Sequence, residues 1–293
     1  MTLKEYYKLH DKKITLAIKG ALAEDKITAD VTTGLVLPGD YGSQKLEAVL
    51  LCKQDCILAG LDIFKRVFRQ IDKNIKFKAY YKDGDKLKKG KKVLEITSTR
   101  SNLLKGERTA LNFIQRMSGV ASLTNEFVRK LIYKNTIILH TRKTTPGFRV
   151  FELAAVKTGG GDFHRSSLAS SVMIKDNHIE AAGGIDEVFD KLLRKSFSYN
   201  LKQNFEIEVR SMKDIQTVVK YGKGIVKIVM LDNFAPVKLP QAVKLLKTNG
   251  FKVELSGGIN IRNFAKYQHK GVDSYSIGQL THSYTSCDFS LEF

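Results

Sequence analysis

Tryptophan is absent from this 293-residue chain, and cysteine nearly so. Cys52, Cys56 and Cys287 show no paired C-x-x-C spacing. A disulfide framework or a zinc site is therefore not expected, and a reducing cytosol fits best. Cys52 and Cys56 lie in apolar sequence and read as small buried hydrophobes, not nucleophiles. No apolar run approaches the roughly 18 residues of a membrane span. The opening MTLKEYYKLHDKK lacks the apolar stretch of a secretory signal. These absences lead to the expectation of a cytoplasmic protein with no membrane contact.

Acidic residues are also scarce relative to basic ones. Thirty Asp and Glu face 49 Lys and Arg, for a net charge of +19. Much of the surplus sits in turns such as KDGDKLKKGKK and YGKGIVK, where a solvated surface accounts for it. Net charge speaks to solubility and encounter, not to fold. An RNA- or DNA-binding module is the remote alternative. With no tryptophan, no aromatic RNA-binding strand, no helix–turn–helix and no KH loop, no nucleic-acid partner is expected. What is present, 43% hydrophobic and 27% charged residues, is ordinary for a soluble globular protein.

The first third reads as α+β. Residues 4–24 carry helical spacing, and KLEAVLLCKQDCILAG and KFKAYYKDGDKLKKGKKVLEITS read as short strands, the DGDKLKKG turn closing a hairpin. From Ser101, a plausible N-cap, SNLLKGERTALNFIQRMSGVASLTNEFVRKLI is a long helix or a broken pair. Beyond it, the apolar runs TIILHT, SVMIKD, FEIEV, VKIVML, FKVEL and SYSI alternate with segments of helical spacing, several closed by glycine. That alternation argues for a parallel sheet, as a barrel or doubly wound. No GxGxxG follows the first strand, which counts against dinucleotide binding.

Every one of those six runs ends in polar residues. In an α/β barrel these are the C-terminal strand ends, which share one rim and carry the active site. LSGGI and IGQL place Gly257, Gly258 and Gly278 in the last two strand–helix loops, where barrels often hold phosphate. Glu208 and Asp232 end neighbouring strands; sugar hydroxyls, Mg²⁺ or structural ion pairs to Arg and Lys would each suit them. Glu206 shares the alternation of Glu208 and ranks behind it. Residues 139–178 gather Arg142, Lys143, Arg149, His164, Arg165 and Lys175 with few carboxylates between them. Two like charges 4 Å apart repel by about 4 kcal/mol at an effective dielectric near 20. Such a cluster is kept where a multiply charged anion binds, and the planar fork of Arg suits carboxylate and phosphate.

At these residues the chain closely resembles the quinolinate phosphoribosyltransferases, also called nicotinate-nucleotide pyrophosphorylases (carboxylating). The likeness rests on ALAEDKITADVTT (21–33), GERTALNFIQRMSGVA (106–121), TRKTTPG (141–147), GGGDFHR (159–165), IKDNH (174–178), EIEVRS (206–211), MLDNF (230–234), ELSGGI (254–259) and SIGQLTHS (276–283). It implies an N-terminal α+β open sandwich over residues 1–110, to which a tail at 284–293 returns, and an incomplete, about seven-stranded α/β barrel over 111–283. It implies decarboxylating transfer from 5-phosphoribosyl 1-pyrophosphate to quinolinate in NAD biosynthesis, with Mg²⁺, by a homodimer. Arg108 would reach the partner's active site. Arg142, His164, Arg165 and Lys175 would hold the two carboxylates of quinolinate. Lys143, Glu208 and Asp232 would face the phosphoribosyl donor, with Mg²⁺ near the two acids. Ser256, Gly257, Gly258 and Gly278 would cradle the 5′-phosphate, with His282 nearby. Lys143, Lys175, Glu208 and Asp232 are the expected catalytic set.

The chain departs from the family pattern at His140, where Asp is usual, and at EDKITAD, which lacks two expected glycines. Within enzymes, the alternative is transfer to another pyridine carboxylate such as nicotinate. Two Arg with His and Lys suit a dicarboxylate better.

Overall fold

The computed structural model describes residues 1–37, 39–196 and 205–293. Two helices open the chain, α1 (Leu3–Leu9) and α2 (Asp11–Glu24), followed by α3 (Val31–Val36). The spacing predicted one helix over 4–24. His10 leaves helical geometry (φ −106°, ψ 14°) and divides it, so that Tyr6 and Tyr7 bury on one piece and Ile14, Ile18 and Leu22 on the other. Next come β1 (Lys45–Cys52), β2 (Cys56–Ile57), α4 (Leu61–Ile71), β3 (Lys76–Ala79), β4 (Lys86–Leu87) and β5 (Lys92–Thr99). β3 and β5 pair antiparallel, as a hairpin should, but β4 interrupts their connection and pairs with β2 instead.

A single helix, α5 (Arg100–Arg129), follows β5 without a loop. Ser101 is not its cap. Thr99, the last strand residue, accepts the Asn102 N–H on Oγ1 at 3.2 Å, because strand and helix share that residue as their boundary. Then come β6 (Ile137–Leu139), α6 (Arg149–Thr158), β7 (Met173–Ile174), α7 (Asp176–Ala182), α8 (Ile185–Ser196), β8 (Phe205–Val209), α9 (Met212–Tyr221), β9 (Val226–Asp232), α10 (Leu239–Thr248), β10 (Lys252–Ser256), α11 (Phe264–Tyr267), β11 (Ser274–Ser276), α12 (Gln279–His282) and β12 (Phe289–Glu292).

The chain forms two compact units: Met1–Glu126 with Thr144–Gly161 and Leu280–Phe293, and Phe127–Lys143 with Asp162–Gln279. In the first, the antiparallel sheet runs β12–β1–β5–β3. β1 and β5 alternate buried and partly exposed residues, the signature of a sheet covered on one face. α4 buries Leu61, Ile63, Phe64, Val67 and Phe68 along one stripe. The TTPG turn is fastened within this unit: buried Glu152 accepts the Thr145 N–H at 3.1 Å and the Arg116 guanidinium at 2.8 Å.

The second unit is a parallel sheet in the order β6–β11–β10–β9–β8–β7. Its strands are the six expected apolar runs, and β8 is buried at all five positions, as parallel strands covered on both faces are. A parallel bridge from Leu139 to Asp162 adds a one-residue stave beyond β6. The architecture is an N-terminal sheet-and-helix part followed by an open α/β barrel, its strand C-termini all at one end. No helix among the described residues is long and apolar enough to cross a membrane.

Gly119 of α5 lies against the backbone after α12, where a Cβ would meet Thr285 O at 2.3 Å and Ser286 Cα at 2.9 Å. Gly119→Ala should destabilise the protein by about 1–3 kcal/mol in urea unfolding. Gly20→Ala, at an α2 position with nothing within 4 Å, should stabilise it by about 0.5–1 kcal/mol.

Candidate active site

The polar residues following β6, β7, β8, β9 and β10 meet in the second unit, and the carboxylates missing from 139–178 arrive on the other strands. His164 is the clearest case. Its Nε2 lies 3.1 Å from Glu206 Oε2 and 3.6 Å from Glu254 Oε2. Ser274 and Ser276 hydroxyls donate to the two oxygens of Glu254, Ser274 at 3.1 Å. Glu206 and Glu254 are both buried, and Glu206 Oε1 has no hydrogen-bond partner. Burial pushes the His164 pKa down, but the hydrogen bond to Glu206 and the charges of Glu254 and Glu206 outweigh it and raise it. Burial first, then the charge of Glu206, lifts Glu254 to about 7.

His140 braces this cluster. It is fully buried, its Nε2 accepts the His164 backbone N–H at 3.0 Å, and its Nδ1 sits 3.2 Å from Thr141 O, which places the ring proton on Nδ1. His140 thus supplies the acceptor for the His164 backbone N–H.

Arg165, buried beyond nine-tenths, sits within the field of Arg142. Desolvation and that like charge lower its pKa, while Glu206 and Glu208 partly offset them. Arg165 nonetheless stays cationic, because a guanidinium is not deprotonated in proteins. Arg142 and Arg165 thus lie within each other's electrostatic field, which Glu206 and Glu208 offset only in part.

Lys175 leaves β7 and donates to Glu208 Oε2 at 2.8 Å. The remainder of IKDNH positions it: His178 Nδ1 accepts the Lys175 N–H at 2.9 Å, and Asp176 pairs with Arg210 at 2.6 Å. Arg210 also reaches Asp232 at 3.4 Å and Glu208 at 3.8 Å. Glu208 and Asp232 therefore do make ion pairs to Lys and Arg. Arg210 and Glu254 were not among the expected site residues. The signals were available: Arg210 is the polar end of β8, and Glu254 is a charge inside an apolar strand.

The loop side is built by contact between two strand ends. Ser256 pairs with Asp232 in register, and its carbonyl accepts the Asn233 N–H at 3.0 Å. Asn233 adopts φ +55°, Gly257 φ +88° and Gly258 φ +63°. A Cβ on Gly257 would meet the Asn233 backbone nitrogen at 2.5 Å; one on Gly258 meets nothing nearer than 3.8 Å. Asn263 Nδ2 donates to Gly258 O at 2.9 Å and holds the loop. Gly278 lies between β11 and α12. Lys143 is exposed, its N–H donating to Thr141 Oγ1 at 3.1 Å. Arg108, exposed on α5, and His282, exposed at the end of α12, belong to the first unit.

Fold and site define an α/β-barrel enzyme whose strand ends bring cations and acids together. The comparisons identify its family. The N-terminal domain model of quinolinate phosphoribosyl transferase matches residues 28–118, and the C-terminal domain model matches residues 120–292. A probable nicotinate-nucleotide pyrophosphorylase (carboxylating) of Bacillus subtilis is 38% identical over 92% of this chain and 89% of its own length. A quinolinate phosphoribosyltransferase (decarboxylating) of Nicotiana tabacum is 37% identical over 94% of this chain and 80% of its own. The crystal structure of NadC from Streptococcus pyogenes superposes with a TM-score of 0.87 at 34% identity, covering all of this chain and 97% of that one. The chain belongs to the quinolinate phosphoribosyl transferase family.

Glu254 and His164 both hold protons more tightly in the folded state than in the unfolded one. Each contribution is therefore lost as pH rises, through Glu254 from 4.5 to about 7 and through His164 from 6.5 upward. Between about pH 5 and pH 8, wild type should lose stability relative to Glu254→Gln, whose side chain cannot ionise. Parallel stability–pH curves for the two proteins would rule the coupling out.

Proposed function

We propose that this protein transfers the phosphoribosyl group of 5-phosphoribosyl 1-pyrophosphate to quinolinate with loss of CO₂, giving nicotinate mononucleotide and pyrophosphate for NAD biosynthesis. The observation that carries this reading is buried Arg165 within the electrostatic field of Arg142, two guanidinium groups suited to a dicarboxylate. Family membership over nearly the whole chain supports it.

Arg142 and Arg165 orient the ring acid through its carboxylates. Lys175 adds a further cation: one of its three ammonium donors serves Glu208, leaving two for substrate. His164, held by Glu206 and Glu254 on Nε2, offers Nδ1. So fixed, the pyridine nitrogen is aimed at the anomeric carbon of the donor as pyrophosphate departs. Positive charge grows on the ribose at that moment, and the carboxylates of Glu208 and Asp232 stabilise it. The ring nitrogen becomes cationic, and that charge stabilises the carbanion left on the ring carbon when the adjacent carboxylate leaves as CO₂; the carbon then takes up a proton from water. The protein supplies orientation and fixed charge.

The oxygen-only donors of Glu208 and Asp232 on adjacent strands fit Mg²⁺, which takes one or two carboxylates and completes its shell with water and phosphate oxygens. These two residues would hold it, and when bound it would neutralise the leaving pyrophosphate. Lys143 faces the donor's phosphates. Ser256, Gly257, Gly258 and Gly278 receive the 5′-phosphate. In a homodimer, Arg108 serves the partner's site.

Purified protein given quinolinate, 5-phosphoribosyl 1-pyrophosphate and Mg²⁺ should form nicotinate mononucleotide and release CO₂ stoichiometrically. Turnover of nicotinate in place of quinolinate would overturn the dicarboxylate reading. Loss of a charged hydrogen bond costs about 1.5–3 kcal/mol. Arg165→Ala should therefore raise the KM for quinolinate roughly ten- to hundredfold and leave that for the phosphoribosyl donor nearly unchanged. Asp232→Ala should chiefly lower kcat. Separately, mixing inactive Arg108→Ala and Asp232→Ala subunits should restore part of the activity, because one of the two sites in a mixed dimer has both residues intact. No recovery after subunit exchange would place Arg108 outside the partner's site.

A further inference from the structure

Glu206 and Glu254 both face Nε2 of His164, but they are held differently. Glu206 lies nearer, at 3.1 Å, yet only its Oε2 is engaged, and its buried Oε1 has no hydrogen-bond partner. Glu254, at 3.6 Å, has a donor on each oxygen: Ser276 Oγ donates to Oε1 and Ser274 Oγ to Oε2. Those two serines stand two apart on β11 and so share one face, and Ser274 pairs with Glu254 in register on β10. A carboxylate with both oxygens bonded cannot turn without breaking one of those bonds. Of the two acids, Glu254 is the fixed point and Glu206 is free to follow.

Glu254 is also a costly residue to bury. It is 1% exposed, and its strand neighbours Val253 and Leu255 are buried and apolar. One carboxylate is enough to orient an imidazole, so a second, buried and clamped, calls for a further role. The chemistry of the ring supplies it. The two carboxylates accept when ionised, so the Nε2 proton stays on that nitrogen. In a neutral ring Nδ1 then carries a lone pair, which repels a carboxylate; in the cation it carries a proton, which it donates to one. Two negative neighbours favour the cation despite burial. The other groups facing the ring do not: Arg165 opposes the cation, and His140, its ring 6.4 Å away, is neutral in the tautomer that accepts the His164 N–H.

We propose that Glu254, anchored by Ser274 and Ser276, is a positioning residue that keeps the His164 ring cationic, with an Nδ1–H to donate to a carboxylate of the pyridine substrate. This role rests on the dicarboxylate reading of the site, and Glu254 acts through His164 alone. Without the Glu254 charge, His164 gives up its proton at a lower pH, and Nδ1 changes from donor to acceptor.

The test uses full-length wild type, Glu254→Gln and Ser276→Ala, each labelled with ¹⁵N-histidine, the His164 signals being assigned from their loss in His164→Asn. In substrate-free protein the His164 titration should move to lower pH in Glu254→Gln and, by less, in Ser276→Ala. Above neutral pH, loss of a charged hydrogen bond should raise the quinolinate KM of Glu254→Gln roughly tenfold. The two proteins should converge below about pH 7, where Glu254 itself takes up a proton and resembles Gln. The KM for 5-phosphoribosyl 1-pyrophosphate should stay unchanged throughout. An unmoved His164 titration would overturn the proposal. So would a rise in KM that is the same at every pH or shared by the phosphoribosyl donor, the mark of a merely structural role. Failure of the dicarboxylate reading shows separately: a wild type that titrates as expected but turns over no quinolinate would overturn the substrate role and leave Glu254 an anchor of the fold.

Discussion

Charge balance across neighbouring strands is the constraint on which this site depends. Taken alone, residues 139–178 are an assembly of cations that repel one another. The parallel sheet supplies what that segment lacks: Glu206 and Glu208 from β8, Asp232 from β9 and Glu254 from β10. His164 is held by the first and last of these, and Lys175 by the second. The balance is deliberately incomplete in one respect, since Arg165 stays buried within the field of another guanidinium. An enzyme for an anion needs that residue of positive potential, because full internal neutralisation would leave nothing for substrate to gain.

The same network separates the residues expected to meet substrate from residues that aim them. IKDNH shows the division within one motif. Its lysine points toward Glu208, while its aspartate steadies Arg210 and its histidine accepts the lysine's own backbone N–H. His140 does for His164 what His178 does for Lys175, an imidazole nitrogen accepting the backbone N–H of the functional residue. Fixing the backbone of a catalytic side chain removes freedom that substrate binding would otherwise have to remove.

How much of this was legible in the sequence depends on the range of the interaction involved. The six barrel strands could be read as apolar runs with polar ends, because burial on both faces leaves a local mark. The cations could be read because they are neighbours in the chain. Their partners could not, since which carboxylate meets His164 is decided by strand order, and Glu254 lies 90 residues away. The local errors have local causes. Helical spacing continues through His10 although the helix does not, and Thr99 was hidden as a cap because it also ends a strand.

The two glycines of ELSGGI finally distinguish architecture from ligand. Gly257 has a reason that involves no phosphate: the β9 end passes so close that a Cβ would strike the Asn233 backbone, and that approach is sealed by the Asn233 N–H on Ser256 O. MLDNF and ELSGGI are therefore one structural unit, in which the turn after Asp232 is shaped by the glycine after Ser256. Gly258 is different. Its φ is also left-handed, but nothing crowds its missing side chain, so the space beside it is open. Of the pair, Gly257 secures Asp232 and Gly258 leaves the backbone approachable. The loop expected to receive a phosphate is thus coupled mechanically to the acid expected to face the ribose, and one contact sets both.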